Sequence, residues 1–526
     1  MSALSRIALV GLPASGKTTL APLLAAKLGW RWADTDDEVA SFTGSTPAEI
    51  LQTRGEPALR EAELSALRRL LDSPASVVIA CGGGLPTNGA ARRLLSDAAT
   101  VVWLDAPDDQ LIARLGDGAG RPLLAGDPAR RLAELRASRA GAYQAAHMRM
   151  ATDAPPGETA QRLSAMVSRA VRVDLAGRVY HVEVRPGALA DIAEHLPAQS
   201  ARVALVADRA VMDVARRVAA SVRTTGREVT ILGVSGGETA KTWAAAGRLL
   251  SRLGAAGIQR GDCLVAVGGG SVGDAAGFVA ATHLRGIRWI GVPTTLLAMV
   301  DSAVGGKTGV NLPRGKNLAG AFWQPHAVLC DTEVLGTLPD RAYRSAFAEV
   351  VKYSMVVKDG LAALIDVSLE GLLRREAGLL TDAVTRCCAI KADIVTADER
   401  EAGSRAILNY GHTVGHALEA ATGYDGSVMH GEAVAAGMRV AGKLSITQLG
   451  CAPADIAWQD ELLARCGLGA APPLAPARVM ALIEGDKKRA GRRVGWVLLE
   501  ARGAPCFGQV VPEPEVEARL AEVLRQ

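Results

Sequence analysis

The stretch Ile7-Ala-Leu-Val10-Gly11-Leu-Pro-Ala-Ser15-Gly16-Lys17-Thr18-Thr19 decides how the chain begins to fold. Its apolar start reads as a buried strand, Thr18 to Leu28 reads as a helix, and the turn between them fits G-x-x-x-x-G-K-S/T. Backbone N–H groups of such a turn point inward around a polyphosphate. The helix N-terminus adds partial positive charge, Lys17 reaches the outer phosphates, and Thr18 offers a hydroxyl to Mg²⁺. Gly11, Ser15, Gly16, Lys17, Thr18 and Thr19 are therefore the ATP-binding candidates. The bland alternative is a glycine-rich turn with a surface lysine, and the strand-before, helix-after placement disfavours it.

Outward from this turn, β-branched apolar runs return at 77–80 and 100–104. Strands thus alternate with helices, which predicts a parallel sheet with flanking helices. Thr152-Asp-Ala-Pro-Pro-Gly157 breaks the pattern, a short helical stretch runs to about 169, and strand patterns resume at 171–174 and 179–184, so a domain boundary is expected near residue 170. Residues 171–335 read as a second, Rossmann-like α/β unit. Residues 336–526 carry long 3.6-period segments, such as 361–375 and 376–397, and are expected to be mainly helical.

A chain of 526 residues exceeds one core and suggests roughly three folding units. The net charge of +4, with basic and acidic residues interspersed, argues against nucleic acid as a partner. No apolar run approaches the roughly 20 residues that span a bilayer, and the apolar start leads straight into the turn, so neither a membrane span nor a signal peptide is expected. The eight cysteines form no C-x-x-C pair and read as reduced core thiols, which points to the cytoplasm.

Beyond the turn, Asp34-Thr-Asp36, Arg60, Gly82-Gly83-Gly84, Arg121-Pro-Leu and Arg139 recur at intervals expected of strand ends and loops. Arginines and glycine N–H groups suit a carboxylate and Asp36 suits hydroxyls, so the phosphate acceptor is a small polyhydroxy acid. The order P-loop, D-T-D, G-E-x-x-x-R-x-x-E, G-G-G, R-P-L, R-x-x-x-Y makes residues 1–170 resemble shikimate kinase. The resemblance implies that Asp36, Arg60, Gly82 to Gly84 and Arg139 hold shikimate, that Arg121 comes from a lid over ATP, and that Asp34 helps position Mg²⁺. Leu51 and Leu59 stand where the family often has phenylalanine. A P-loop kinase for another sugar acid, such as gluconate, is the competing reading.

In the C-terminal half, a buried strand runs into Gly268-Gly269-Gly270-Ser271-Val272-Gly273-Asp274, a turn that lets backbone amides approach a pyrophosphate. Glu238, Lys241, Thr294 and Thr295 add polar loop groups that grip a dinucleotide. Asn409-Tyr-Gly-His412-Thr-Val-Gly-His416 places two imidazoles at i and i+4, a spacing that commonly shares a metal, and His430 and Glu349 are candidates to complete the shell. On the residues alone, His412 and His416 are the favoured pair.

Several long strings make residues 175–526 similar to 3-dehydroquinate synthase: Gly291 through Asp301 to Lys307, Gly315-Lys316-Asn317, Glu349-Val-Val-Lys352, Asp398-Glu-Arg-Glu401 through Arg405, and Asn409 to His416. The resemblance implies a Zn²⁺ or Co²⁺ ion on Glu349, His412 and His430, with His416 beside the substrate phosphate instead. NAD⁺ would meet the glycine turn and the loop groups above together with Asp301, Lys307, Lys316 and Asn317. Those four would also face the substrate, with Lys352, Lys391, Arg405, Asn409, His416 and the Lys487-Lys488 pair. The implied reaction converts 3-deoxy-D-arabino-heptulosonate 7-phosphate into 3-dehydroquinate and phosphate, with NAD⁺ regenerated in each turnover. The same resemblance implies a homodimer formed through this half. The competing readings are a metal-dependent alcohol or glycerol dehydrogenase, another sugar-phosphate cyclase, and a fusion with one silent half.

Overall fold

The computed structural model describes residues 6–115, 127–168, 170–313, 315–490 and 494–524. Early in the chain, β1 (Arg6–Val10), β2 (Arg31–Asp34), β3 (Val77–Ala80), β4 (Thr100–Asp105) and β5 (Met148–Ala151) form a parallel sheet in the order β2-β3-β1-β4-β5. Strands covered on both faces read as continuous apolar runs. In β1, Ile7 and Leu9 pack with Leu20, Leu24 and Leu163, while Ala8 and Val10 pack on the other face with Leu67, Ile79 and Leu95. All five strands point the same way, so their following loops gather at one rim. The connection from β1 runs to β2 on one side of the sheet and that from β3 runs past β1 to β4 on the other, which opens a crevice at that rim.

The next two strands, β6 (Ala170–Leu175) and β7 (Arg178–Arg185), form an antiparallel hairpin. The chain divides into two compact units, residues 2–200 and 201–526, although the sequence pattern breaks near residue 170. His181 Nε2 lies 3.0 Å from Thr100 Oγ1, and Arg172 donates to the carbonyls of Ser96, Asp97 and Ala99 at 2.6–2.9 Å, so the hairpin is anchored in the first unit.

The second unit opens with β8 (Arg202–Asp208), β9 (Glu228–Val234), β10 (Cys263–Gly268) and β11 (Arg288–Pro293). An antiparallel hairpin of β12 (Lys307–Leu312) and β13 (Gly315–Phe322) follows, then β14 (Ala327–Asp331). Parallel ladders run in the order β9-β8-β10-β11-β14. The β12–β13 hairpin is absent from the sequence reading, because Gly309, Gly315 and Gly320 dilute its apolar alternation. It carries Lys307, Lys316 and Asn317.

Past β14 the chain is mainly helical, as expected, with long helices at Leu361–Leu373, Ala377–Ala397 and His430–Leu449. One exception is the antiparallel ribbon of β15 (Trp496–Ala501) and β16 (Ala504–Gln509), turned at Arg502-Gly503 with Gly503 at φ 80°. Its short buried run, Trp496 to Leu499, cannot be told from a helical segment by periodicity. Among the described residues no helix is long and apolar enough to cross a membrane, and the eight cysteines are free thiols.

Glycines bring the elements of the helical region into backbone contact. A Cβ on Gly437 would collide with the Gly411 carbonyl, one on Gly415 would lie 3.3 Å from the Val434 Cα, and one on Gly431 would strike the Ser345 carbonyl. Helix His412–Ala421 is thereby pressed on His430–Leu449, whose first turn is pressed on the segment leading into Phe347–Val356. His412, His430 and Glu349 sit on these three helices. Gly437→Ala is expected to wedge two of them apart and to lower the unfolding free energy by about 1–3 kcal/mol, the usual cost of overpacking. The denaturation midpoint checks this, and an unchanged midpoint would contradict the close contact.

Candidate active sites

At the carboxyl rim of the first sheet lies a cavity of about 790 Å³, lined among others by Ser15, Gly16, Lys17, Thr18, Thr19, Asp34 and Asp36. Lys17 Nζ donates to the carbonyls of Gly11 and Leu12, each at 2.9 Å, which folds the lysine across the turn. Ala14 (φ 64°) and Gly16 (φ 95°) take left-handed backbone conformations that curl the loop. Thr18 Oγ1 donates to Asp34 Oδ2 at 2.9 Å, so a hydroxyl and a carboxylate are already paired where a hard cation would sit.

The far end of the same cavity carries Arg60, Arg139 and the glycine triplet, with Leu51 and Leu59 in its wall. The triplet is glycine because polar side chains crowd it. A Cβ on Gly82 would lie 2.7 Å from Asp36 Oδ1, one on Gly83 3.1 Å from Arg139 NH1, and one on Gly84 would overlap the Arg60 guanidinium. Arg60 is oriented by Glu63 at 2.7 Å and Glu56 at 2.9 Å. Burial, with the nearby Asp34 and Glu63 carboxylates, pushes Asp36 up to about 6, against an opposing pull from Lys17. Arg121 lies outside the described residues.

In the second unit, ligand atoms of Glu349, His412 and His430 lie within 4.8 Å of one another. His412 Nε2 and His430 Nε2 are 3.4 and 3.5 Å from Glu349 Oε1. Glu349 is 0% exposed, and Lys352 is in ion-pair contact with its Oε2, yet neither carboxylate oxygen accepts a well-formed hydrogen bond. Burial alone would raise the Glu349 carboxyl; the Lys352 ammonium and His412 outweigh it and hold the group down to about 2. Burial and Lys352 push His412 down to about 3, so it is a neutral ligand-type imidazole. Burial also opposes protonation of His430, but Glu349 and Glu419 overcome it and lift that imidazole to about 10, so a divalent ion binding at Nε2 would displace that proton and leave the neutral ring with its N–H at Nδ1. An orphaned buried carboxylate and two convergent imidazoles fit a divalent ion with N/O preference.

Around this cluster each lysine is matched to a carboxylate. Lys391 Nζ is 2.7 Å from Asp301 Oδ1, Lys316 is 3.1 Å from Glu238, and Lys307 is paired with Glu401, which also accepts from Asn409 Nδ2 at 3.1 Å. Such pairing fixes long flexible side chains in place before any anion arrives. Arg405 is braced on backbone, donating to the Glu399 carbonyl at 2.6 Å, and it underlies the Gly305-Gly306 turn that leads to Lys307. Asn317 is exposed on β13 and its N–H is held by Asn311 Oδ1 at 3.0 Å.

Gly268, Gly269, Gly270, Gly273 and Asp274 line a narrow pocket with Ser302 and Lys307. A Cβ on Gly269 would lie 3.3 Å from Thr295, and the buried Ser302 hydroxyl has no partner, so the turn is a cradle with a donor to spare. This fits a pyrophosphate. Lys241 is paired with Asp274. Thr294 is buried, its N–H donating to the Gly268 carbonyl at 2.9 Å, and Ser271 opens the helix Gly270–Thr282. Val272 has its side chain in the apolar core, so its backbone is the part that faces a ligand.

The favoured His412–His416 pair is also corrected. The His416 ring centroid is 5.4 Å from that of His412 and 6.5 Å from that of His430, and His416 is outside the convergent group. An i, i+4 spacing puts two rings on one face but does not aim their nitrogens at one point. The side chains of Lys487 and Lys488 lie outside the described residues. Sequence reasoning missed Thr35, whose hydroxyl accepts from the Gly82 N–H at 2.7 Å, and Tyr143, whose hydroxyl donates to the Gly83 carbonyl at 2.7 Å. Both lie inside strings already noted, D-T-D and R-x-x-x-Y.

Comparison with known proteins agrees with this geometry. Residues 231–345 and 346–489 match the models of the N-terminal and C-terminal parts of 3-dehydroquinate synthase, and residues 13–168 match that of shikimate kinase. The 3-dehydroquinate synthase of Bordetella pertussis (strain Tohama I) is 41% identical over 357 residues, covering 68% of this chain and 99% of that protein. The chain belongs to the 3-dehydroquinate synthase family. The synthase of Pelobacter propionicus is 44% identical over 320 residues, 60% of this chain and 89% of that one. Among solved structures, a 2-deoxy-scyllo-inosose synthase in complex with carbaglucose-6-phosphate, NAD⁺ and Co²⁺ is 29% identical, with a TM-score of 0.63 over 68% of this chain and all of that one. The chain thus joins a shikimate kinase domain to a 3-dehydroquinate synthase, a kinase and a lyase of the shikimate pathway, and the dehydrogenase reading falls away.

The kinase half makes a pH prediction. An acid whose pKa is raised keeps its proton to higher pH, so ionised Asp36 is lost as pH falls through about 6 instead of near 4. The kcat/KM for shikimate, which reports the free enzyme, should therefore decline below about pH 6. A profile flat down to pH 5 would contradict a working role for the Asp36 carboxylate.

Proposed function

We propose that the residues above carry two reactions in the following roles. In the kinase half, Lys17 and the turn's N–H groups hold the outer phosphates of ATP, and Thr18 with Asp34 places Mg²⁺. Arg60, Arg139 and the glycine turn hold the shikimate carboxylate, and ionised Asp36 orients a ring hydroxyl and accepts its proton.

In the synthase half, the observation that carries the reading is the convergence of Glu349, His412 and His430 inside a set of carboxylate-held lysines. These three residues hold Zn²⁺ or Co²⁺, and the glycine cradle with Glu238, Lys241 and Asp274 holds NAD⁺. When bound, the ion supplies Lewis-acid polarisation of a substrate hydroxyl and the dinucleotide supplies a reversible hydride acceptor. Lys352, Lys391 and Asp301 fix the substrate next to the ion site. Lys307, Lys316, Asn317, Arg405, Asn409 and His416, with a lysine of the 487–488 pair, supply positive charge and donors for the substrate's carboxylate and phosphate. Eight free thiols, seven of them buried, suit a reducing cytoplasm, and the working unit is a homodimer through this half.

With 3-deoxy-D-arabino-heptulosonate 7-phosphate, NAD⁺ and Zn²⁺ the chain is expected to release phosphate and form 3-dehydroquinate, with no lasting nicotinamide absorbance. With ATP, Mg²⁺ and shikimate it should form shikimate 3-phosphate. His430→Ala should cut the first activity by more than ~100-fold, since losing a ligand exceeds the effect of losing an outer partner, and leave the second unchanged. Net NADH accumulation, or a His430→Ala chain with full synthase activity, would contradict the assignment.

A further inference from the structure

Helix His412–Ala421 carries a third polar residue on the face of His412 and His416. Glu419 follows His412 by seven positions and His416 by three, close to two and one turns of helix. Its side chain is 12% exposed, and its two oxygens point to different partners. Oε2 lies 3.2 Å from His430 Nδ1, and Oε1 lies 3.5 Å from Lys316 Nζ. Lys316 also sits 3.9 Å over the Tyr424 ring and 3.1 Å from Glu238, so the carboxylate is anchored from both ends.

The two ring nitrogens of His430 therefore have separate tasks. Nε2 faces Glu349 Oε1 at 3.5 Å, on the side where His412 Nε2 also converges, while Nδ1 faces Glu419. A neutral imidazole that donates its single N–H from Nδ1 to a carboxylate must present the Nε2 lone pair at the other edge. His412 is oriented in the same sense by a weaker partner, its Nδ1 lying 3.2 Å from the Tyr410 carbonyl. Carboxylate partners of ligand imidazoles fix the tautomer and raise ligand basicity.

We infer that Glu419 is the positioning residue for the metal ligand His430: it holds the Nδ1–H, aims the Nε2 lone pair at the space shared with Glu349 and His412, and ties that space to Lys316. The inference rests on the proposed metal site and adds a residue to it. Glu419 is not itself a ligand, because its oxygen lies on the Nδ1 edge of the ring.

The test is ion binding by the full chain after chelation, with Zn²⁺ affinity read by competition with a chromophoric chelator and Co²⁺ followed by its visible absorption. Glu419→Ala should keep one ion per chain but weaken Zn²⁺ binding about 10- to 100-fold and alter the Co²⁺ spectrum. Glu419→Gln keeps an acceptor for the Nδ1–H and should recover part of that affinity. The circular dichroism spectrum and thermal unfolding midpoint of the ion-free samples, expected to match those of the wild-type chain, check that the unit carrying Glu419 is folded. Wild-type affinity and spectrum in Glu419→Ala would overturn the role of Glu419 while leaving the ion site standing. A wild-type chain that binds no ion, or whose ion is unaffected by His430→Ala, would overturn the site itself.

Discussion

The charge on Glu349 sets the terms for the C-terminal half. A carboxylate with no exposure to water and no well-formed hydrogen bond is tolerable only where cations meet it, and an unpaired buried charge costs about 3–5 kcal/mol. Lys352 supplies one cation from one helical turn away, and His412 and His430 turn nitrogens to the opposite side. The helices that hold these groups meet through Gly411, Gly431 and Gly437, because any larger residue would move the imidazoles off the carboxylate. Packing and electrostatics thus converge on the same few positions.

The kinase half solves a related problem. Its anions are brought to a sheet rim where backbone N–H groups and a helix terminus add to the positive potential of Lys17, Arg60 and Arg139. Acidic groups there are used to place side chains. Asp34 takes the Thr18 hydroxyl, Glu63 and Glu56 hold Arg60, and burial, with Asp34 and Glu63 close by, raises the Asp36 carboxyl towards neutrality. Both halves therefore set a glycine turn at a helix terminus beside cationic side chains held by carboxylates, and the synthase half adds the buried cluster of Glu349, His412 and His430.

Much of this was legible before any coordinates. The strand, glycine turn and helix around Lys17 could be read because local chemistry specifies that motif, and the order of strings around Asp36, Arg60 and Gly82 to Gly84 specified the acceptor. The β12–β13 hairpin escaped because glycines weaken its alternation, and the β15–β16 ribbon because four buried residues fit either period. The choice between His416 and His430 as ligand could not be made from spacing: residues eighteen apart on different helices meet only through tertiary packing at glycine. Glu419 lay in plain view at i+7 from His412, but its role depends on where Nδ1 of His430 points, which periodicity does not encode.

Anomalous diffraction from crystals grown with Zn²⁺, recorded on both sides of the zinc absorption edge, tests the central claim most directly. A single strong peak about 2.0–2.2 Å from a Glu349 oxygen, His412 Nε2 and His430 Nε2 is the predicted result. A peak held by His412 and His416 instead, or no peak near Glu349, would contradict it.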